Sequence, residues 1–420
     1  MSYYRASEEF KGYANSFQAI AKPGLESITA LLNNMGNPQD KLSFVHVAGT
    51  NGKGSVCEFL RTMLTHAGYK TGIYTSPNMF CVNERINIDG ANISDENLKK
   101  LLEEVEPKCV KTKEQIGVYP TQFEIWTAMA MKYFCDNNCD IVVLETGLGG
   151  RLDATNIVKT TRLSVITHIA LDHMQYLGDT TAKIAAEKAG IIKPDTDVVS
   201  AFSDSEAAAV IENVCKERSC RLTVAEKLKE GRHDGIYEII CGGEFEGVKL
   251  SLGGINQLDN ASCAVSAAKI LNLPHESIKF GLENTVHMGR FEKIRKNLYF
   301  DGAHNPDGIS ALKKNLGRYF PNSEKVYIMA TMADKDISAS LKLLQDGRSE
   351  IMAVAVENNE RSMSACELAK RARSLGFDAS AYDNIADACR EAVMRGKLTV
   401  VCGSLYLYAD LINALKKENS

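Results

Sequence analysis

The sequence predicts an α/β fold: a mostly parallel sheet domain followed by a smaller α/β domain. Three observations predict it. Short apolar runs alternate with amphipathic segments through nearly all of the 420 residues. A glycine-rich loop joins one apolar run to a helical pattern. The pattern breaks near residues 284–289, which predicts domains of 1–285 and 286–420.

Composition limits the partners and the compartment. The net charge of −4 gives no reason to expect nucleic acid or an acidic membrane as a partner. We find no apolar run long enough to span a bilayer and no signal-peptide core at the N-terminus. The 12 cysteines are scattered and form no CxxC pair, which indicates reduced thiols. We therefore expect a cytoplasmic protein, and we expect it to be a monomer.

The chain begins with a helical, amphipathic pattern over residues 1–41. Pro23 is suited to the first turn of a helix, and apolar residues recur after it at helical spacing. A helix is therefore predicted to start near Pro23.

The next feature is a phosphate-loop pattern. Residues 44–48 are predicted to form a strand, and a helix is predicted around residues 56–67. Between them, glycines allow several backbone N–H groups to point at one anion, and Lys53 adds a full positive charge to the helix N-terminus. The alternative is a tight turn with a solvated lysine. The predicted ATP-binding residues here are Gly49, Thr50, Asn51, Gly52, Lys53, Gly54 and Ser55.

This loop departs from the standard P-loop, because Gly54 follows Lys53 and the hydroxyl of Ser55 comes one place later. The shortened form GTNGKGS resembles the loop of folylpolyglutamate and dihydrofolate synthases, which belong to the Mur ligase superfamily. The resemblance implies a P-loop NTPase-like first domain and a Rossmann-like second domain. It also implies that Ser55 helps to hold a metal ion.

Residues 69–74 are predicted to form a strand, and a loop with Ser76, Pro77 and Arg85 follows. Arginine binds carboxylates in a bidentate fork, so Arg85 is a candidate clamp for a substrate carboxylate and a catalytic residue. A surface loop with a solvated arginine is the alternative. The resemblance implies that Ser76 faces a metal and that Pro77 and Arg85 lie near the substrates. Most family members carry histidine where this chain has Asn78.

Thr121 and Glu124 fit a capping box at the start of a helix. Phe123, inside this box, offers an aromatic face for a flat heterocycle. The resemblance places this aromatic residue near a pterin ring. It also gives the segment Gly24, Leu25 and Glu26 a place near the pterin, although an ordinary helix is the simpler interpretation.

Residues 140–145 form an apolar run that ends in Glu145, which is suited to holding Mg²⁺ beside a phosphate loop. The run ETGLGGRLDATN is the most specific match to the folate ligases. A later run, LDH followed by IAAEKAGIIK, is similar to the Mur superfamily. It implies that His173 and a carbamylated Lys188 hold a second Mg²⁺ and are catalytic, whereas an unmodified, solvated lysine is the default interpretation.

The second half of the chain contains further matches. Asn260 matches a nucleotide-contacting asparagine, with a simple helix cap as the alternative. Arg290 and the turn DGAHNP, with Asp301 and His304, imply contacts to ATP, and Ser404 is a candidate near the amino-acid substrate. Buried strands alternate with helices here without a GxGxxG motif.

The phosphate loop and the resemblance together imply an ATP-dependent amide ligase that adds L-glutamate to a folate or pterin substrate through an acyl phosphate, with Mg²⁺ at two positions. One alternative is a Mur ligase of a cell-wall precursor, which we do not favour because about 40 residues precede the first strand. Another is a P-loop NTPase that regulates partners without joining substrates.

Overall fold

The computed structural model describes residues 24–201, 204–230, 239–333, 335 and 337–418. The chain divides into two compact units: Met1–Lys229 with Asp259–Thr285, and Glu230–Leu258 with Val286–Ser420. None of the helices in the described part of the chain is both long and apolar enough to cross a membrane.

The first unit contains an eight-stranded sheet within the described residues, in the order β4-β3-β2-β5-β1-β6-β7-β8. The strands from β2 to β8 in this order are parallel, whereas β3 and β4 pair antiparallel at one edge. The strands are β1 Phe44–Ala48, β2 Thr71–Tyr74, β3 Ile86–Ile88, β4 Ala91–Asn92, β5 Ile141–Glu145, β6 Thr161–Ile166, β7 Asp197–Ser200 and β8 Arg221–Val224.

The central strands are apolar and buried on both faces, as a parallel sheet covered by helices requires. Carboxyl ends of parallel strands meet at one edge of a sheet, so the segments after β1, β2, β5 and β6 lie together there. The helices of this part of the chain are Glu26–Asn34, Lys53–His66, Asp95–Ile116, Gln122–Asp136, Met174–Leu177, Thr181–Ala189, Ser205–Glu217, Asn256–Ile270 and His275–Asn284, with 3₁₀ turns at Pro38–Lys41, Val82–Arg85 and Ala154–Ile157.

The second unit has a six-stranded sheet, in the order β11-β12-β16-β13-β14-β15, in which β11 and β12 pair antiparallel and the other neighbours pair parallel. A separate pair, β9 and β10, is antiparallel. The strands of this unit are β9 Ile239–Ile240, β10 Lys249–Leu250, β11 Glu292–Arg295, β12 Leu298–Phe300, β13 Lys325–Met329, β14 Glu350–Ala353, β15 Asp378–Ala381 and β16 Leu398–Cys402. Its helices are Pro306–Tyr319, Ile337–Leu344, Ala365–Ser374, Ile385–Met394 and Leu407–Glu418, with a 3₁₀ turn at Gly243–Phe245.

The α/β class and the two sheets are confirmed. The first described helix begins at Glu26, and the predicted helical pattern before residue 24 lies outside the described residues. Residues 230–258 belong to the second unit, where Ile255 N donates to Asn315 Oδ1 at 2.8 Å and Glu230 pairs with Arg318. The domain limits of 1–285 and 286–420 stay a prediction.

Candidate active site

The glycine-rich loop lies between β1 and the helix Lys53–His66, at the carboxyl edge of the first sheet. Gly52, directly before this helix, has a φ of 92°, which favours glycine. The segment after β6 holds the loop: Thr50 N donates to His168 O at 2.8 Å, and Ala170 N donates to the Thr50 hydroxyl at 3.1 Å. The loop is therefore fixed on one side by the backbone of the adjoining strand connection.

Two glycines of the loop sit against other side chains. A methyl group on Gly49 would overlap the hydroxyl group of Thr167, and one on Gly52 would overlap the side-chain oxygen of Asn260. Asn260 lies in the second turn of the helix Asn256–Ile270, so its interpretation as a helix cap is wrong. Its side chain instead contacts the phosphate loop, about 200 residues away in the sequence.

Two lysine side chains meet at the carbonyl group of Gly49. Lys53 Nζ donates to this oxygen at 3.1 Å, and Lys188 Nζ donates to it at 2.8 Å. Lys188 is only 3% exposed. Burial and, to a smaller extent, the charge of Lys53 lower the pKa of Lys188 to about 7, against the opposing effect of Asp172 and Asp153. A large fraction of the Lys188 amines is therefore neutral near pH 7.

Oxygen donors lie beside the phosphate loop. Glu145, the last residue of β5, pairs in register with Val47 of β1 and is 4% exposed. Its carboxylate accepts a hydrogen bond from Ser76 N at 3.0 Å. Ser55, in the first turn of the helix after the loop, is also buried.

These donors fit Mg²⁺ better than a metal that needs a cage of protein ligands. Mg²⁺ prefers oxygen, keeps several water ligands and commonly takes one or two carboxylates together with substrate phosphates. In the described ranges of the chain, no three His, Cys, Asp or Glu side chains come together as a metal-binding group. The carboxylate of Glu145 beside a phosphate loop matches this way of binding Mg²⁺, with one carboxylate and the substrate phosphates as ligands.

His173 lies in the connection after β6, close in sequence to the segment that holds the loop. Its φ of 49° places it in the left-handed region, at the start of the short helix Met174–Leu177. Its backbone N donates to Asp172 Oδ1 at 2.8 Å, and its ring Nε2 is 3.9 Å from Asp172 Oδ2. Asp172 thus orients His173, and the metal role of this histidine stays a prediction.

The loop after β2 is folded around the side chain of Glu84. The backbone N–H groups of Met79, Phe80 and Cys81 donate to its carboxylate at 2.7 to 3.1 Å. These hydrogen bonds fix the position of the next residue, Arg85, which was predicted from the sequence to bind a substrate carboxylate.

Arg85 is held by three neighbours. Its Nε donates to Asn78 Oδ1 at 2.9 Å, its guanidinium lies 6.0 Å from the centre of the Trp126 ring, and it interacts with the Tyr74 hydroxyl. Pro77 follows Ser76 in the same loop, through a cis peptide bond. The role of Asn78 as a partner of Arg85 was missed, because a contact across seven residues of irregular loop leaves no periodic signal in the sequence.

Phe123 packs at the edge of the core of the first unit, which also includes Trp126. The predicted capping box around it is confirmed, because Thr121 and Glu124 exchange hydrogen bonds. A methyl group on Gly147, just after β5, would overlap the Phe123 ring. The glycine backbone therefore lies directly against the end of the Phe123 ring.

The segment Gly24, Leu25 and Glu26 reaches the same core. Leu25 packs against it, and Glu26 begins the helix Glu26–Asn34. Ser27 Oγ donates to Glu124 Oε2 at 3.2 Å, which ties this helix to the capping box around Phe123. The two segments that the sequence linked to a pterin are thus adjacent.

In the second unit, Asp301 follows β12 and is half-buried. Its carboxylate accepts hydrogen bonds from Phe291 N at 3.0 Å and Ala303 N at 2.8 Å. Burial raises the pKa of Asp301 to about 6, and Arg290 acts in the opposite direction. His304 Nδ1 lies 2.9 Å from the carbonyl oxygen of Gly302.

Ser404 lies after β16 in the same unit. It is buried, and its hydroxyl accepts a hydrogen bond from Tyr406 N at 3.3 Å. Gly403 N donates to Ala303 O at 2.8 Å, so the segment of Ser404 adjoins the turn that contains Asp301 and His304. The structure therefore brings the predicted residues of the second unit together.

Comparison with protein families gives two matches that follow one another along the chain. The model of the Mur ligase middle domain matches residues 47–268, more than half of the chain. The model of the Mur ligase glutamate ligase domain matches residues 289–405.

Individual proteins match over nearly the whole length. The dihydrofolate synthase/folylpolyglutamate synthase of Bacillus subtilis is 34% identical over 94% of this chain and 95% of its own length. The folylpolyglutamate synthase of Lacticaseibacillus casei is 32% identical over 95% of this chain and 96% of its own.

Solved structures agree with these matches. The Mycobacterium tuberculosis folylpolyglutamate synthase complexed with ADP superposes with a TM-score of 0.88 at 28% identity, over 97% of each chain. The Escherichia coli FolC in complex with DHPP and ADP superposes with a TM-score of 0.86 at 26% identity, over 98% of each chain.

Proposed function

The chain belongs to the folylpolyglutamate synthase and dihydrofolate synthase family of the Mur ligases and is an ATP-dependent ligase that adds glutamate to folates, and we propose that it works through an acyl phosphate. The observation that carries the proposal is the phosphate loop, where two lysines converge beside the buried carboxylate of Glu145. An ATP γ-phosphoryl group at this place would meet the ammonium group of Lys53.

The chemistry requires activation of a carboxylate, because oxide is too poor a leaving group for direct attack by an amine. An oxygen of the substrate carboxylate attacks the γ-phosphorus, the bond to the bridging oxygen breaks, and ADP leaves. The amine of L-glutamate then attacks the acyl carbon, loses a proton, and phosphate departs as the amide forms.

The loop amides and Lys53 hold the β- and γ-phosphates during the transfer, because negative charge is concentrated on these two phosphate groups. Mg²⁺ bound by Glu145 with Ser55 and Ser76 would neutralise phosphate charge. Asn260, whose side chain lies against Gly52, is proposed to contact the nucleotide.

We further propose that Lys188 is carbamylated. The neutral amine attacks CO₂, a C–N bond forms and a proton is released, which leaves an anionic oxygen-bearing group. The low pKa of Lys188 supports this reaction, because only the uncharged amine is nucleophilic. The carbamate, together with His173, would hold a second Mg²⁺ and would replace the repulsion between two ammonium groups by an attraction to Lys53.

On the pterin side, Arg85 is proposed to hold the substrate carboxylate while Phe123 stacks on the pterin ring, with Gly24, Leu25, Glu26 and Pro77 lining the same region. Asn78 and Trp126 support the orientation of Arg85. In the second unit, Arg290, Asp301 and His304 are proposed to contact ATP, and Ser404 to lie near L-glutamate. We also propose that the protein is a cytoplasmic monomer.

Product analysis by mass spectrometry tests the proposal. The purified protein is given ATP, Mg²⁺ and L-glutamate with dihydropteroate or with tetrahydrofolate, each offered separately. A product heavier by one glutamate residue, formed only when all three co-reactants are present, is the expected result. ATP hydrolysis that is indifferent to both pterins and to glutamate would contradict it and would favour an NTPase without ligase activity.

A further inference from the structure

A buried histidine lies in the strand that leads to the phosphate loop. His46 is in the middle of β1, fully buried, with Leu144 of β5 and Ser164 of β6 as its register neighbours. Its Nε2 is 2.9 Å from Thr155 Oγ1. The reaction described above uses neither residue, so a polar pair in the core requires another explanation.

The hydrogen bonds of Thr155 determine which nitrogen of His46 carries the proton. The Thr155 hydroxyl is 2.5 Å from Asp153 Oδ1, and Thr155 N and Leu148 N donate to the same carboxylate at 3.0 and 2.8 Å. Burial raises the pKa of Asp153, and these hydrogen bonds act in the opposite direction. Because the Thr155 hydroxyl donates to Asp153, its single proton is used, and His46 Nε2–H is the donor to Thr155.

The other ring nitrogen supports this assignment. Among the described residues, the buried Nδ1 of His46 has no hydrogen-bond partner. A proton on Nδ1 would bury an unsatisfied N–H group, which is costly. Burial also lowers the pKa of His46 to about 3, and the charge of Lys193 lowers it further, so the ring is neutral.

The chain of hydrogen bonds continues towards the proposed pterin site. Asp153 Oδ2 accepts the bond from Leu148 N, and the backbone of Gly147 also donates to Asp153. Gly147 is the residue whose backbone lies against the Phe123 ring. Four residues, His46, Thr155, Asp153 and Gly147, thus connect the central strand to the Phe123 ring.

We propose that His46 is a positioning residue for the pterin site: its Nε2–H anchors Thr155 and, through Asp153, holds the backbone of Gly147 and Leu148 against Phe123. The inference rests on the proposed function, because the role of Phe123 does. His46 then supports the binding of the pterin substrate and not the binding of the nucleotide, although the phosphate loop directly follows the strand that contains His46.

Two matched pairs of variants test this role. His46→Leu removes the donor, whereas His46→Gln keeps an amide donor near the position of Nε2. Thr155→Val removes the hydroxyl with little change in shape, whereas Thr155→Ser keeps it. Calorimetry measures the binding of dihydropteroate, of tetrahydrofolate and of a non-hydrolysable ATP analogue to each folded variant, with thermal unfolding measured in parallel.

We expect His46→Leu and Thr155→Val each to weaken pterin binding about tenfold and nucleotide binding less than twofold, the size expected for one hydrogen bond. Gln at 46 and Ser at 155 should stay within about twofold of the wild type. The double variant should be no weaker than Thr155→Val alone, since that substitution already removes the bond to His46 together with the hydroxyl bond to Asp153. Equal losses for pterin and nucleotide, or no recovery with Gln and Ser, would overturn the inference.

A second measurement does not depend on substrate. In ¹⁵N-labelled wild-type protein, the His46 ring should show protonated Nε2 and unprotonated Nδ1, and a proton on Nδ1 overturns the inference outright. A wild type that binds neither pterin refutes the proposed function as well. A wild type that binds pterin, with variants that bind it equally well, refutes only the role of His46.

Discussion

Lys188→Met should stabilise the first unit, by an amount that falls as the pH rises. The pKa of Lys188 is about 7 in the folded protein against 10.5 for an ordinary lysine, so between these values the unfolded chain binds more protons than the folded one. Stability therefore rises with pH across this window. The buried amine costs the folded state about 4 kcal/mol at pH 7 and about 2 kcal/mol at pH 9.

Urea unfolding from pH 7 to 9, in buffers free of CO₂, measures this difference. Trp126 is the single tryptophan of the chain and lies in the core of the first unit, so its fluorescence reports the unfolding of that unit. The difference in unfolding free energy between Lys188→Met and wild type should shrink by about 2 kcal/mol over this range. Packing changes caused by methionine do not depend on pH and cancel from this comparison.

Lys183→Met is the matched control. Lys183 lies on the same helix, its side chain is 63% exposed, and it pairs with Asp179 at the surface. Its substitution should leave the pH dependence of stability unchanged. A difference between Lys188→Met and wild type that stays constant from pH 7 to 9 would refute the reasoning, because it would mean that the buried amine keeps an ordinary pKa.

The remaining predictions concern activity. Gly52→Ala should weaken ATP binding at least tenfold in calorimetry, because the added methyl group meets Asn260. Gly68→Ala is the control, because Gly68 has the same φ of 92° but a methyl group there would have no atom within 4 Å. It should introduce only backbone strain and leave ATP binding intact. Glu145→Gln should lower kcat at least about a hundredfold and raise the Mg²⁺ concentration needed for half-maximal rate, since a neutral amide holds the ion poorly; a normal Mg²⁺ titration would contradict its metal role. Removal of CO₂ should lower the reaction rate of the wild type, and added bicarbonate should restore it. The rate of Lys188→Met should not change with CO₂ or bicarbonate. A wild-type rate that is the same with and without CO₂ would exclude the carbamate.

The parts of the fold that sequence reasoning predicted are those with a local physical cause. The strand of residues 44–48, the glycine loop and the following helix each carry their own pattern of apolar spacing and turn residues. Glu145 was placed at a strand end because an apolar run stops there. The capping box at Thr121 depends on residues three apart, and it formed as predicted.

The parts that were missed depend on contacts between distant segments. No sequence pattern indicates that Asn260 reaches Gly52, or that Lys188 reaches the carbonyl of Gly49. The same holds for His46 and Thr155, which are 109 residues apart. A histidine in an apolar strand is ordinarily a core residue, and only the positions of its partners reveal which atoms it orients.

Burial, reinforced by the charge of Lys53 at the same carbonyl oxygen, explains why Lys188 has so low a pKa and connects that value to function. Two ammonium groups that both contact one carbonyl oxygen repel each other unless one of them is neutral or an anion lies between them. The phosphate groups of ATP would supply that anion to Lys53. Carbamylation would remove the repulsion in a different way, because it would turn Lys188 itself into an anion. Both solutions need a Lys188 that is buried and poorly solvated, so the burial of this side chain is a requirement of the site as much as of the fold.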